Sequence, residues 1–232
     1  MRISRLVFTL FFWFWSFSIP SLVTAQQGMM PGPGTHAAAA AFGCPSGSGS
    51  CFDTFTGTPG TQLATYNSSW TNVYGEDISY WLLTTSPGVY VSDTSYYYSA
   101  LYYSSSTSDT SQITTVGIAA GTSAEPGPCT RCDQGGYSIY WETTGTNVPV
   151  IFGKNGGQAT STGCHMNTSV PNTLKLVTSG TGTVTNTAYV NGTLCTSTYT
   201  DSSGLSPGHP GVLFMSLDST VSYNTITAWQ DH

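Results

Sequence analysis

Charge is what this 232-residue chain has least of. Only 7% of its residues are Asp, Glu, Lys or Arg, and only five are basic. Two of the five, Arg2 and Arg5, lie at the N-terminus; beyond residue 25 the cations are Arg131, Lys154 and Lys175. All eleven acids lie in that later part, which gives it a formal net charge of −8. Such a surface repels phosphate backbones, which argues against nucleic acid as a partner. No basic amphipathic segment is available to hold an anionic membrane. No apolar run reaches the ~20 residues of a comfortable bilayer span. Sustained 3.6-residue periodicity is also missing, so long helices are not expected. Scarce charge with 13% aromatics is not the composition of a disordered chain, which pairs low hydrophobicity with high charge.

What is present begins with an address. Arg2 and Arg5 precede the apolar stretch Leu6 to Ile19, and Val23-Thr24-Ala25 is a small-residue cleavage site. Residues 1–25 therefore read as a secretory signal peptide, and the protein as secreted or extracellular with no membrane span after cleavage. Residues 26–51, with Pro31-Gly32-Pro33-Gly34 and the Gly/Ser stretch Ser46–Ser50, read as a linker or extended arm. Residues 52–232 read as one domain, long enough to bury a core.

Six cysteines in an oxidising compartment make disulfides the default, with fifteen pairings open. Proximity suggests Cys44 with Cys51 and Cys129 with Cys132, leaving Cys164 to Cys195. A zinc reading of Cys129-x-x-Cys132 lacks a second Cys-x-x-Cys. A thioredoxin-like reading lacks a βαβ setting.

Short β-type segments separated by Gly, Pro, Asn and Ser fill the rest. Strands are expected near Ser79–Leu83, Gly88–Val91, Tyr96–Tyr103, Ser111–Ala119, Tyr137–Thr143, Val148–Lys154, Thr173–Thr178, Thr183–Val190, Thr193–Thr200, Gly211–Leu217 and Ser222–Trp229. Asn155-Gly156-Gly157 and Asn191-Gly192 supply the positive φ that tight hairpins need. The expected class is all-β, a two-sheet antiparallel jelly-roll sandwich.

Local patterns carry a resemblance. Asp53-Thr-Phe55-Thr-Gly57-Thr-Pro-Gly60 followed by Trp70, then Ala188-Tyr-Val190-Asn191-Gly192, Thr200-Asp201 and Ser206-Pro-Gly208-His-Pro-Gly211, and the closing Tyr223-Asn224-Thr-Ile226-Thr-Ala228-Trp resemble the concanavalin A-like, laminin G-like jelly rolls over residues 52–232. The resemblance implies two stacked antiparallel sheets. Its members include lectins, carbohydrate-binding modules, glycan hydrolases, lyases and adhesion domains, so function rests on the residues.

Glycosidase chemistry needs two nearby carboxylates, and the Glu-x-Asp-x-x-Glu run of laminarinase-type jelly rolls is missing. Glu76, Glu125 and Glu142 are isolated. No catalytic residue is assigned; were the chain a hydrolase or lyase, Glu142, Glu76, Asp93 and Arg131 would be the candidates. Aromatic rings suit the C–H faces of sugars. Strand alternation puts Tyr97 and Tyr103 on one face and Tyr140 with Glu142 on another outward face. With Arg131, a fork-shaped donor, Tyr97, Tyr103, Tyr140 and Glu142 form the expected carbohydrate site. The plainer alternative is that the aromatics fill the core. Asp53, Asp201, Asp218 and Asn224 are candidate ligands for a structural calcium. Sequons stand at Asn67, Asn167 and Asn191. Together these features point to a secreted, non-catalytic domain binding a glycan or an extracellular surface partner. A glycan-active enzyme and a structural exoprotein are the alternatives.

Overall fold

Two Asn-Gly pairs set much of the architecture. Asn155-Gly156 and Asn191-Gly192 hold φ of 51° and 72°, and 51° and 78°, the handedness by which a two-residue hairpin matches strand twist. The computed structural model describes residues 42–44, 50–74, 78–85, 87–92, 98–106, 109–121, 125–215 and 226–232. In chain order the strands are β1 (Phe42–Gly43), β2 (Phe52–Asp53), β3 (Trp70–Tyr74), β4 (Trp81–Leu83), β5 (Val89–Val91), β6 (Tyr98–Tyr103), β7 (Ser111–Ile118) and β8 (Glu125–Thr130). They continue with β9 (Tyr137–Tyr140), β10 (Val148–Lys154), β11 (Gly157–Met166), β12 (Asn172–Ser179), β13 (Val184–Val190), β14 (Thr193–Asp201), β15 (Gly211–Met215) and β16 (Ile226–Asp231). Among the described residues the helical pieces are single turns at Leu63–Tyr66, Ile78–Tyr80 and Cys132–Gln134, and no helix is long and apolar enough to cross a membrane.

The strands form two antiparallel sheets, as expected of an all-β sandwich. The first runs β1-β2-β16-β7-β12-β13-β14, with β5 on β16 and β4 on β5; the second runs β11-β10-β9-β8-β15-β6-β3. Period-2 alternation dictates what each sheet buries. On β12, Leu174 and Leu176 point inward while Thr173, Lys175 and Val177 point out; on β7, Val116 and Ile118 point inward while Thr115 and Gly117 point out. These residues meet Leu101, Ile139, Phe152 and Phe214 of the second sheet in one core. Some polar residues that enter the core bond one another: the hydroxyls of Thr130 and Thr178 lie 2.6 Å apart, and Thr178 donates to Asn186 Oδ1 at 2.6 Å.

Each expected strand has a counterpart, while β1, β2, β3, β8 and β11 are not among those expected. Glu125-Pro-Gly-Pro-Cys-Thr reads as a loop yet forms β8, between β15 and β9. Pro126 and Pro128 share a parity, so both missing N–H groups fall on one side of the strand. The pairing with β9 stops at Cys129, where the next residue has no N–H to give. β11 carries no strand signal in the sequence, because an exposed edge with Thr, Ser and Gly shows no alternation. Within the stretch expected to be a linker, Phe42–Gly43 pairs with β2; residues 1–25 and most of 26–51 lie outside the described residues.

All three pairings suggested by proximity are present: Cys44–Cys51, Cys129–Cys132 and Cys164–Cys195. Cys164–Cys195 joins β11 to β14, one edge of each sheet, and spans 31 residues against 7 for Cys44–Cys51. Loop-closure entropy gives it the larger effect, about 3–4 kcal/mol against about 2. Guanidinium unfolding of the Cys164→Ala/Cys195→Ala and Cys44→Ala/Cys51→Ala variants should show that order; the reverse order would contradict it.

Candidate functional site

Several residues singled out in the sequence are structural, and their surroundings say why. Asp53 is fully buried where β2 meets the turn Leu63–Tyr66. Its carboxylate accepts from Trp70 Nε1 at 2.7 Å, Phe55 N at 2.7 Å, Asn67 Nδ2 at 2.9 Å and the Tyr66 hydroxyl at 3.0 Å. Burial raises its pKa, and these four donors pull it back. A ring of N–H and O–H donors suits a carboxylate and takes up the lone pairs that a cation would need. Asp201 ends β14, five strand positions from β2 in the first sheet, or roughly 24 Å at 4.8 Å per strand. It cannot share an ion with Asp53, which corrects the calcium expectation for these two. Asp218 and Asn224 lie outside the described residues. Among the described residues no three His, Cys, Asp or Glu side chains form a metal-binding group.

Asp201 is instead one end of an ion pair. Lys154 Nζ lies 2.5 Å from Oδ2, the Tyr137 hydroxyl donates to Oδ2 at 2.7 Å, and Ser203 N donates to Oδ1 at 3.1 Å. Burial pushes the carboxyl up, but these donors outweigh it and bring the pKa down to about 2. Its stabilising contribution is complete above 3.8, the ordinary aspartate value, and is lost as pH falls through 2. Asp53 and Asp231 have the opposite sign. Burial raises both, so folding favours their protonated forms and their contribution improves as pH falls from neutral. The melting temperature should therefore rise or hold from pH 7 to about 4 and fall below it. Asp201→Asn should remove much of that acid limb; an unchanged limb would contradict the assignment.

The expected carbohydrate patch does not assemble. Arg131, Tyr103 and Tyr140 are at most 1% exposed. Tyr103 packs in the core with Trp70 and Trp229, ring centroids 5.0 and 4.8 Å away. In β6 the faces lie one residue out of phase with the expectation: Leu101 and Tyr103 point inward, and a one-residue slip exchanges every side chain between faces. Tyr140 lies on the other side of its sheet from the core neighbours Tyr137 and Ile139, opposite Ile151, and is covered. Gly153 makes room for its ring, since a Cβ there would come within 2.8 Å of Tyr140 Cε1. Arg131 is a clamp. Its guanidinium donates to the carbonyls of Leu205, Thr110 (2.9 Å) and Gly180, and its backbone N–H donates to Gln112 Oε1 at 2.8 Å. It pairs with backbone dipoles rather than an acid, and burial lowers its pKa. Glu142 is exposed just beyond β9. Tyr97, Glu76 and Asp93 lie outside the described residues. Of the sequons, Asn67 is buried against Asp53, so a glycan there is incompatible with this packing.

The surface that does assemble is on the outward face of the first sheet. A groove of about 370 Å³ lies along β2, β16, β7 and the start of β12. Its floor exists because Ala228, Gly117 and Thr173 are in register and two of the three have almost no side chain. A Cβ on Gly117 would come 2.7 Å from Thr227 Oγ1, at the bulge where β16 steps from Ile226 to Ala228 against β7. Beside the floor, cross-strand partners line up as Phe52, Gln230, Thr115, Lys175 and Tyr189. Four strand steps make this row roughly 19 Å long. Lys175 Nζ lies 5.0 Å over the Tyr189 ring, a cation–π contact. Asp53 lines the groove, with its carboxylate engaged by Trp70 and Asn67.

The groove thus offers hydroxyls and an amide that both donate and accept, bracketed by ring faces at Phe52 and Tyr189. Sequence reasoning missed it. The alternation in β12 and β13 was visible and puts Lys175 and Tyr189 outward. Phe52 and Gln230 come from opposite ends of the domain, and nothing local announces that they pair.

No protein-family model and no curated protein matches the chain. Solved structures similar to it include a carbohydrate-binding module of Bacillus subtilis, CBM66 (19% identity, TM-score 0.44, covering 69% of this chain and 91% of that one). Others are the transglycosylase Crh5 in its apo form (12%, 0.47, covering 80% and 84%) and the Emp46p carbohydrate recognition domain in metal-free form (13%, 0.41, covering 74% and 91%). At these identities and scores, none carries a functional inference for this chain.

Proposed function

We propose that this is a secreted, non-catalytic protein that binds a carbohydrate chain along the outward face of its first sheet. The observation that supports it is the row from Phe52 to Tyr189 beside the Gly117 floor. Threonine hydroxyls and the Gln230 amide match a sugar's hydroxyls in both hydrogen-bonding senses, and two rings can stack on sugar faces. A row that spans five strands suits an oligosaccharide rather than a single ring. The described groove side chains include no nucleophile, base and orienting group in sequence, the combination that covalent chemistry would use, which favours binding over turnover.

The test is a glycan array with the purified secreted protein. At least one polysaccharide class should bind, and Tyr189→Ala should weaken it by about tenfold, the loss of one aromatic contact of ~1–2 kcal/mol. Failure to bind any glycan would overturn the reading. Turnover of a polysaccharide, abolished by Glu142→Gln, would replace it with the enzyme alternative.

A further inference from the structure

We infer that the groove selects an anionic polysaccharide, and that Lys175 reads the charge. The inference rests on the carbohydrate reading above and names its substrate class.

The chain past residue 25 is strongly acidic, yet among the described residues the outward face of the first sheet is not. Three acids lie on that sheet's strands, Asp53, Asp201 and Asp231, and all three are buried. Asp53 and Asp201 spend their carboxylates on Trp70 and Asn67, and on Lys154 and Tyr137. Asp231 spends one oxygen on Cys51 N–H. The outward positions of these strands carry no carboxylate. Asp109, just before β7, is six residues along the chain from Thr115, roughly 20 Å of extended strand. Asp53 lines the groove but is buried, so among the described residues the outward row is a local exception in a molecule of this charge.

The cation at that exception is available. Of the three beyond residue 25, Arg131 is buried against carbonyls and Lys154 pairs with Asp201. The Lys175 ammonium has no hydrogen-bond or ion-pair partner among the described residues and lies against the Tyr189 ring. That contact places the ammonium over the ring, between Thr115 and Tyr189 in the row. An ammonium with three unspent donors, beside hydroxyls and a ring, fits a sugar that carries a carboxylate or sulfate. A neutral sugar would leave its charge uncompensated, whereas an anionic one forms a charge-assisted hydrogen bond. The Thr115 hydroxyl and Gln230 amide on one side and the Tyr189 ring on the other fit an uncharged stretch of sugar next to the lysine.

The experiment compares matched pairs that differ only in charge: polygalacturonate against its methyl ester, and dextran sulfate against dextran. Affinities are measured by titration calorimetry with the purified secreted protein, its Lys175→Met variant and its Lys175→Arg variant. The acidic member of at least one pair should bind about tenfold tighter, the scale of one charge-assisted bond. Lys175→Met should bring the ratio near one, Lys175→Arg should keep it, and 1 M salt, where the Debye length is about 3 Å, should erase it. Preference within the first pair alone identifies a carboxylate, and within the second alone a sulfate. Binding of both members of each pair equally, or a preference that survives Lys175→Met, overturns the inference and leaves carbohydrate binding standing. Absence of binding to any of the four polymers, together with an array hit on a neutral glycan, overturns it in the same way. No binding to any glycan overturns both.

Discussion

Asp53→Ala should lower the unfolding free energy by about 3–5 kcal/mol, the scale of breaking a buried, fully hydrogen-bonded charged group. The carboxylate organises the first turn of the domain. It fixes Trp70 through Nε1, Asn67 through Nδ2 and Tyr66 through its hydroxyl, and it sits behind Trp229, its cross-strand neighbour. Removing it strands the buried donors of Phe55, Asn67 and Trp70 and frees the half-buried Tyr66 hydroxyl. Trp70 and Trp229 are themselves in edge contact at 5.0 Å, so loosening one loosens the other. Asp53→Asn keeps the shape and one acceptor and should cost less, because an amide nitrogen then faces donors. Equilibrium guanidinium unfolding at pH 7 measures both. A loss below about 1 kcal/mol for the alanine variant, typical of an ordinary exposed site, would mean that the hub does not hold this end of the sandwich together.

Gly117→Val should weaken glycan binding by about thirtyfold or more, the loss expected at the central residue of a recognition surface. The side chain would occupy the groove floor between Ala228 and Thr173. Stability should change little. Valine suits a strand, and the close neighbour is the Thr227 hydroxyl rather than backbone, so one rotamer change relieves the contact. Unchanged affinity in a folded Gly117→Val protein would move the binding surface off this sheet. Set beside Asp53→Ala, the two variants separate a residue that carries the fold from one that carries the groove.

Most of the sandwich is legible in the sequence because its signals are local. Asn-Gly pairs fix two hairpins, and alternation in β7, β12 and β13 fixes which face is buried. Proximity along the chain pairs the cysteines. The candidate site is less legible because it depends on which side of a strand faces in and on which distant strands pair. In Tyr96–Tyr103 both faces are rich in tyrosine, so hydrophobicity does not choose between them. The choice is made by Tyr103 joining Trp70 and Trp229, residues far away in sequence. Arg131 reads as a surface donor because arginine is seldom fully buried; carbonyls contributed by Thr110, Gly180 and Leu205 make its burial tolerable. Asp53 reads as a loop ligand because its four donors come from a turn, a strand and an indole that no spacing rule connects.

The most direct test of the carbohydrate-binding face is an amide chemical-shift titration of the isotope-labelled protein with the tightest oligosaccharide from the array. Binding along the first sheet predicts that the largest shifts fall on Thr115, Gly117, Thr173, Lys175 and Gln230. Shifts confined to the surroundings of Glu142, with those five amides unmoved, would contradict it.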